Sequence, residues 1–520
     1  MPSPDAFRRP FGFIPGLLLL LASPAASQDS SVAGPITFTD AMEQPALLYP
    51  YLRAMPKGGD LHSHLTGAIY AESLIAWAAE DGLCLDLSQL VLSQPPDTRD
   101  CRAVGLVGAD SASLDPVLYN QLIDAFSTRD YDPAVENGHD RFFETFARFS
   151  AATQGRLGDM LAEAQTRAAE GNLLYLELME SIEIGRAMAI GAGTPWTDDL
   201  DSMRERLLDA GVPAAATAAA QSIDMAQARR DELLGCQDRV AAAPGCDIAV
   251  RFLYQVLRAF PKEMVFAQIL TGFELAQRDP RVVGINLVQP EDDPVAMADY
   301  SLHMRIIQAL RPHYPDVKVS LHAGELTGGL VETAGLRFHI GEAVRIAGAE
   351  RIGHGVGILQ EDDALPLIRE MARAGVLVEI NLTSNDVILG VSGDRHPLRT
   401  LMAMGVPVAL STDDEGVSRS EITAEYLRAV RDQQLDPADL IYMARNSLEY
   451  AFIEGESLWA GVGQRTDELQ EWVVTKPCSE SEGGLNGNAC LAFLETSPKA
   501  ALQAELERRL ITWRQAPFGQ

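Results

Sequence analysis

Short apolar, β-branched runs alternate along the chain with longer stretches whose apolar residues recur at helical spacing. The runs predict strands over 59–64, 173–179, 247–254, 282–288, 317–322, 351–354, 376–381 and 406–413. Helical patterning fills the intervals at 73–80, 157–170, 202–209, 264–278, 297–310, 340–347, 364–374 and 397–404. Continuous apolar strands of this kind are buried on both faces, as in parallel sheets. Strand then helix, about eight times over, predicts an α/β fold closed into a (β/α)8 TIM barrel rather than an open doubly wound sheet.

Such a barrel takes about 250 residues, and the chain has 520. The surplus falls in an N-terminal arm at 28–55, an insertion after the first strand at about 82–140, a long connection at 180–246, and a helical C-terminal extension at 456–520. The barrel itself is expected within 56–455. Hydrophobic residues make up 47% and charged residues 22%, the balance of a folded chain. The 73 acidic and 42 basic side chains leave a charge of −31. That balance excludes nucleic acid and anionic membrane surfaces as partners, because both need a basic face.

Residues 1–27 read as a cleavable secretory leader. Arg8 and Arg9 form its positive start, 11–22 its apolar core, and Ser23, Ala25, Ala26 and Ser27 the small residues of a cleavage site. The apolar run is shorter than the roughly 20 residues of a membrane span, so a stable membrane anchor is the weaker reading. A secreted or periplasmic location is expected. The six cysteines fall into neighbouring pairs: Cys84 with Cys101, Cys236 with Cys246, and Cys478 with Cys490. Sequence alone allows about 15 connectivities. Local disulfides, suited to an oxidising compartment, are expected over a zinc–thiolate site, because no C-x-x-C occurs.

Four of the nine histidines lie at the ends of expected strands. His62 and His64 form an H-x-H whose i, i+2 spacing on a strand turns both rings to the same side. His322 ends the fifth strand, His354 the sixth, and Asp413 and Asp414 the eighth. Any one of these alone reads as a polar strand end satisfied by loop backbone. Together, three histidines and a carboxylate make a nitrogen/oxygen site suited to Zn²⁺, with a position left for water. The H-x-E and P-C-x-x-C pattern of cytidine-type deaminases is absent, as are H-E-x-x-H, G-x-S-x-G and a P-loop.

Met55-Pro56-Lys57 precedes His62-Ser63-His64-Leu65-Thr66-Gly67-Ala68. His322-Ala323-Gly324-Glu325, Arg351-Ile352-Gly353-His354-Gly355 and Ser411-Thr412-Asp413-Asp414 follow in order. This series resembles the adenosine deaminase family of metal-dependent hydrolases over most of 55–450. The leader, the first cysteine pair and the long insertion are more similar to its secreted, growth-factor-related branch than to the compact cytosolic enzymes. The resemblance implies one Zn²⁺ per chain, held by His62, His64, His322 and Asp413. His354 would take the proton of the attacking water or steady what remains. Glu325 would donate to N1 of a purine, and Asp414 would hydrogen-bond at N7. Gly324, Thr66 and Gln289 would complete the substrate contacts. The implied reaction converts adenosine, or a close adenine nucleoside, to inosine and ammonia. The related secreted enzymes also suggest a homodimer formed through the N-terminal arm, the other reading being a cover for the barrel floor.

Three positions depart from the family pattern. Thr66 stands where the compact enzymes carry an acidic residue that contacts the ribose. Gln289 replaces a glycine whose backbone meets the purine, and Glu415 a proline. The reaction type survives these changes, but the sugar and 5′ group stay open. The alternatives are another amidohydrolase-type deaminase or hydrolase acting on a different purine or amide, and a non-catalytic nucleoside-binding or signalling protein. Nucleotides such as AMP fit poorly with the acidic chain. Glu177, on the second strand, reads equally as a structural or a catalytic carboxylate. His139, His303, His313, His339 and His396 read as ordinary polar residues, with some reservation for His396 near the seventh loop. The sequon Asn381-Leu382-Thr383 sits at a strand end and reads as chance.

Overall fold

The computed structural model describes residues 37–97, 100–238, 241–461, 472 and 474–515; the expected leader at 1–27 and the first part of the arm lie outside the described residues. Eight parallel strands pair in chain order: β1 (Gly59–His64), β2 (Tyr175–Glu180), β3 (Ala249–Leu257), β4 (Val282–Val288), β5 (Lys318–Ala323), β6 (Arg351–His354), β7 (Leu377–Ile380) and β8 (Val408–Leu410). The last strand meets the first through a single bridge, Ser63 to Asp413. There the His64 N–H donates to the Asp413 carbonyl at 2.8 Å and the Asp413 N–H to the His62 carbonyl at 2.9 Å. Asp60 tightens the closure by accepting from the Thr412 hydroxyl at 2.7 Å and from the His62 N–H at 3.1 Å. The result is a nearly closed (β/α)8 barrel.

Three strands, β1, β4 and β6, have the expected bounds. The largest difference is at the eighth, expected over 406–413 but regular only over Val408–Leu410. The chain leaves the extended region because Asp413 takes φ 60°, which turns its carboxylate toward β1. The expected helix at 340–347 is one α-turn, His339–Glu342, continued by a π-helical turn, Ala343–Ala347. Its C-cap is Gly348 at φ 69°.

A buried polar plug lies below the mouth. Arg351 pairs with Glu177 at 2.6 Å and with Glu379 at 2.7 Å, and all three side chains are fully buried. Glu177 also accepts from the Tyr175 hydroxyl and the Phe452 N–H. A carboxylate spent on three donors inside the barrel has the structural role of the two expected for it.

The segment between β1 and β2 folds into a three-stranded antiparallel sheet and several helices. Cys84–Cys101 staples it. Its helix Gly138–Thr153, capped by the Asn137 side chain, lays Phe142, Phe143 and Phe146 along the barrel mouth. Cys236–Cys246 and Cys478–Cys490 complete three local disulfides. The C-terminal helix Pro498–Gln515 is tied to the helix Pro437–Glu449 by the buried pair Arg445–Glu507, at 2.7 Å. Among the described residues no helix is long and apolar enough to cross a membrane.

Candidate active site

The ends of β1, β5, β6 and β8 deliver the histidines and Asp413 to the mouth, two of them from β1. The Nε2 atoms of His62 and His64 lie 3.1 and 3.2 Å from that of His322. Asp413 Oδ1 lies 3.3 Å from His62 Nε2 and 3.2 Å from His64 Nε2. At metal–ligand distances of roughly 2.0–2.2 Å, the edges of a tetrahedron measure about 3.3–3.6 Å. The four side chains named from the sequence therefore stand close to that spacing. His354 adjoins them, its Nε2 3.9 Å from Asp413 Oδ2, and belongs to the same buried cluster.

The partners of the other ring nitrogens decide what the cluster can hold. His62 Nδ1 lies 2.6 Å from the Glu379 carboxylate, His64 Nδ1 2.7 Å from Gln255 Oε1, and His322 Nδ1 2.7 Å from Asn286 Oδ1. Each of these oxygens accepts, so each Nδ1 carries the proton and each Nε2 presents a lone pair. Three lone pairs and a carboxylate facing one another at 3.1–3.3 Å are mutually repulsive unless a cation lies between them. Burial works to lower the His62 pKa, yet the hydrogen bonds and charges of Asp413 and Glu379 lift it to about 10. The cluster thus demands a positive charge, and its nitrogen/oxygen donors fit Zn²⁺.

His354 is set differently. The Leu398 N–H donates to His396 Nδ1 at 3.2 Å, and His396 Nε2–H then donates to Asn385 Oδ1 at 3.0 Å. That fixes the Asn385 amide, whose Nδ2 donates to His354 Nδ1 at 2.8 Å. His354 is left with its proton on Nε2, aimed at the cluster. Burial pulls its pKa down to about 3, so the ring is neutral. His396 is therefore part of the site and not an ordinary loop residue. Asn381 is buried, with its Nδ2 3.4 Å from the same ring, and offers no exposed amide for a glycan.

Glu325 projects beside His354, 3.5 Å from its Nδ1, and its Oε1 has no hydrogen-bond partner. Burial, reinforced by the charges of Asp413 and Glu291, raises its pKa well above the usual carboxylate range, so it stands as a neutral acid with a proton to donate. Gly324 precedes it at φ 75°, where a Cβ would lie 2.5 Å from Ile340. Asp414 Oδ1 is also buried without a partner, and burial pushes that carboxyl up to about 7. It sits against Gly67, where a Cβ would come within 1.5 Å of Oδ1; only glycine leaves room for it.

Gln289 holds the glycine-like conformation its place in the pattern demands, with φ 80°. Its carbonyl accepts from Arg258 Nη2 at 2.8 Å, and its side-chain oxygen turns to the Ala259 N–H at 2.9 Å. Thr66 donates to Glu180 at 3.0 Å. His64, Thr66, Gln289, His322, Glu325, Asp413 and Asp414 open on one cavity of about 820 Å³, walled by Phe142, Phe143, Phe146 and Ile388. Among the described residues no lysine or arginine lines it.

Several residues of the site carried no motif. Gln255, Asn286, Glu379 and Asn385 each orient one imidazole. Glu291, fully inside, accepts from the N–H groups of Gly324 and Glu325 at 3.0 and 2.9 Å and from His339 Nδ1. His339 is accordingly a buried partner, stacked on Tyr300 with ring centroids 3.7 Å apart. A signal existed for Glu379: a charged residue inside an apolar strand needs a buried partner.

A family model described as adenosine deaminase matches residues 219–459. An adenine deaminase of Sinorhizobium medicae is 27% identical over 298 residues, covering 57% of this chain and 75% of that protein. An adenosine deaminase of Serratia proteamaculans is 37% identical over 138 residues, 26% of this chain and 38% of its own. An adenine deaminase of Rhizobium leguminosarum is 30% identical over 34% of this chain, and the match spans about half of that relative, 51%. The crystal structure of an adenine deaminase from Arthrobacter aurescens shares the fold, with a TM-score of 0.50 and 16% identity over 89% of this chain and all of that one, 100%. With the ordered motifs at the strand ends, these matches make the chain similar to the adenosine deaminase family.

Proposed function

We propose that the protein is a zinc-dependent hydrolytic deaminase of adenosine or a close adenine nucleoside. The observation that carries this is the meeting, at the barrel mouth, of three imidazole lone pairs and Asp413 with a neutral, unpartnered Glu325. Zn²⁺ held by His62, His64, His322 and Asp413 would act as a Lewis acid and make water a nucleophile near neutral pH. His354, through Nε2–H, holds the attacking oxygen in line. Glu325 gives its proton to N1 of the purine, which makes C6 electrophilic. Asp414, protonated, donates to N7 and fixes the ring in its plane. Water adds at C6; one of its protons passes to the 6-amino group, which leaves as ammonia, the other returns to the Glu325 carboxylate, and inosine is formed with its proton on N1.

The cavity is of the size of small-molecule sites, and its lack of lysine and arginine argues against a 5′-phosphate as its ligand. The leader-like N-terminus and three disulfides support export to an oxidising compartment.

The test follows the absorbance change from adenosine to inosine, with metal content measured on the same sample and Glu325→Gln beside it. Conversion abolished by a zinc chelator, restored by Zn²⁺ and lost in Glu325→Gln is the expected result. One zinc per chain with adenosine untouched would leave the metal site and reject the substrate, pointing to other 6-aminopurines. Neither metal nor turnover would reject the enzyme and favour a binding protein.

A further inference from the structure

Glu180 and Thr66 take no part in the chemistry above, yet both stand on the cavity wall. Glu180 ends β2, and Thr66 lies two residues beyond His64. One carboxylate oxygen of Glu180 accepts from the Ser181 N–H and the other from the Thr66 hydroxyl, each at 3.0 Å. With its proton committed to Glu180, the Thr66 oxygen is left as an acceptor. The carboxylate retains unspent lone pairs as well. The pair thus offers the cavity acceptors alone, and the neutral groups that match acceptors are hydroxyls.

The pair also stands at a junction. Both residues line a second groove of about 540 Å³ that continues from the main cavity past Leu157 and Met160. A purine seated at Glu325 and Asp414 has its N9 substituent to place along this route. Among the described residues the one cation on the groove, Arg229, is paired with Asp159 and Glu232 at 3.3 and 2.9 Å. A phosphate arriving there would meet the Glu180 carboxylate and no free cation.

Resting on the deaminase reading, we propose that Glu180, held in place by Thr66, is a specificity residue that accepts hydrogen bonds from the ribose hydroxyls. It selects a neutral nucleoside over the free base and over a 5′-phosphate. The acidic group that the compact enzymes carry at the position of Thr66 is supplied here from the neighbouring strand.

The experiment measures kcat and KM for adenosine, its 2′-, 3′- and 5′-deoxy analogues and adenine, with wild type, Glu180→Gln and Thr66→Val. Wild type should lose about 10- to 100-fold in kcat/KM on the analogue lacking the hydroxyl that is read, the scale of one hydrogen bond to a charged group. Glu180→Gln should lose as much on adenosine, mainly in KM, and become indifferent to that hydroxyl. Thr66→Val should fall between them, and it serves if Glu180→Gln fails to fold. Equal losses on every substrate, or discrimination left intact in both variants, would overturn the proposal while the deaminase stands. Wild type active on adenine but not on the nucleosides would do the same. Wild type inert on all five, with zinc bound, would reject the adenosine reading itself.

Discussion

Glu291 offers the sharpest perturbation of the site, because it touches neither a metal ligand nor the cavity. Its carboxylate accepts from the Gly324 N–H at 3.0 Å, the Glu325 N–H at 2.9 Å and His339 Nδ1. Glu291→Gln preserves size but offers one acceptor and one donor. If the amide oxygen keeps Gly324 and His339, the NH₂ is driven against the Glu325 N–H. The other rotamer opposes the remaining two donors. Either way a buried N–H loses its acceptor, at about 1–3 kcal/mol, and the turn carrying Glu325 must shift to relieve it. The substitution also removes one of the charges that, after burial and Asp413, hold the Glu325 pKa up. Glu325 must be protonated to donate, so activity falls as pH rises through its pKa, and a lower pKa brings that fall earlier. The expected result is kcat down by about ten- to a hundredfold, KM nearly unchanged, zinc at the wild-type level, and the alkaline limb of kcat/KM displaced toward lower pH. Unchanged kcat and an unmoved alkaline limb in fully metallated Glu291→Gln would refute the role given to this residue. Loss of zinc would show instead that Glu291 supports the ligands.

Asn385→Leu removes the donor that fixes the His354 tautomer. It should lower kcat by about tenfold or more with zinc retained, and full activity would refute the relay through His396. Glu415 is partly buried, its Oε1 lies 3.8 Å from Arg167 Nε without a hydrogen bond, and burial pushes its pKa from the usual 4.5 up to about 8. The unfolded chain ionises this group first, so it costs stability progressively between pH 4.5 and about 8. Glu415→Gln should melt higher than wild type at pH 8, and the gain should shrink toward pH 5; equal gains at both pH values would exclude ionisation as the cause. Titration of denatured, unreduced mature protein with a thiol reagent should find no free thiol, and reduction should release all six cysteines. Two or more reactive thiols before reduction would contradict the three bridges.

The barrel was legible because its strands are buried on both faces and so lack polar interruptions, except where a polar residue has work to do. His62, His64, His322, His354, Asp413 and Asp414 announced themselves by lying at strand ends, and β1, β4 and β6 have the bounds their patterning predicts. The eighth strand did not, because left-handed backbone at Asp413 is a property of its contacts with β1 and leaves no trace in periodicity. Gln255, Asn286 and Asn385 were silent for a related reason. An amide on a strand or short helix has no characteristic spacing, and its partner is tens to hundreds of residues away in sequence. Glu180 was silent too, since its meaning depends on Thr66 facing it from the turn after β1.

Those silent residues explain why the site exists only in the closed barrel. His62 on β1 is oriented by Glu379 on β7, His64 on β1 by Gln255 on β3, and His322 on β5 by Asn286 on β4. Each of these histidines is thus held by a partner from a different strand, and no single βα unit can prearrange even one of them. The partners also differ in charge. Gln255 and Asn286 are neutral amides, so they place no charge against His64 and His322. Glu379 is a carboxylate, which makes His62 the most basic of the three. An unshared carboxylate so deep would be costly, and Glu379 is accordingly met by Arg351 at 2.7 Å, which itself grips Glu177. The polar floor of the barrel and the histidine cluster at its mouth are therefore one connected network. Losing Arg351 would expose its consequences first at His62, in the affinity for metal.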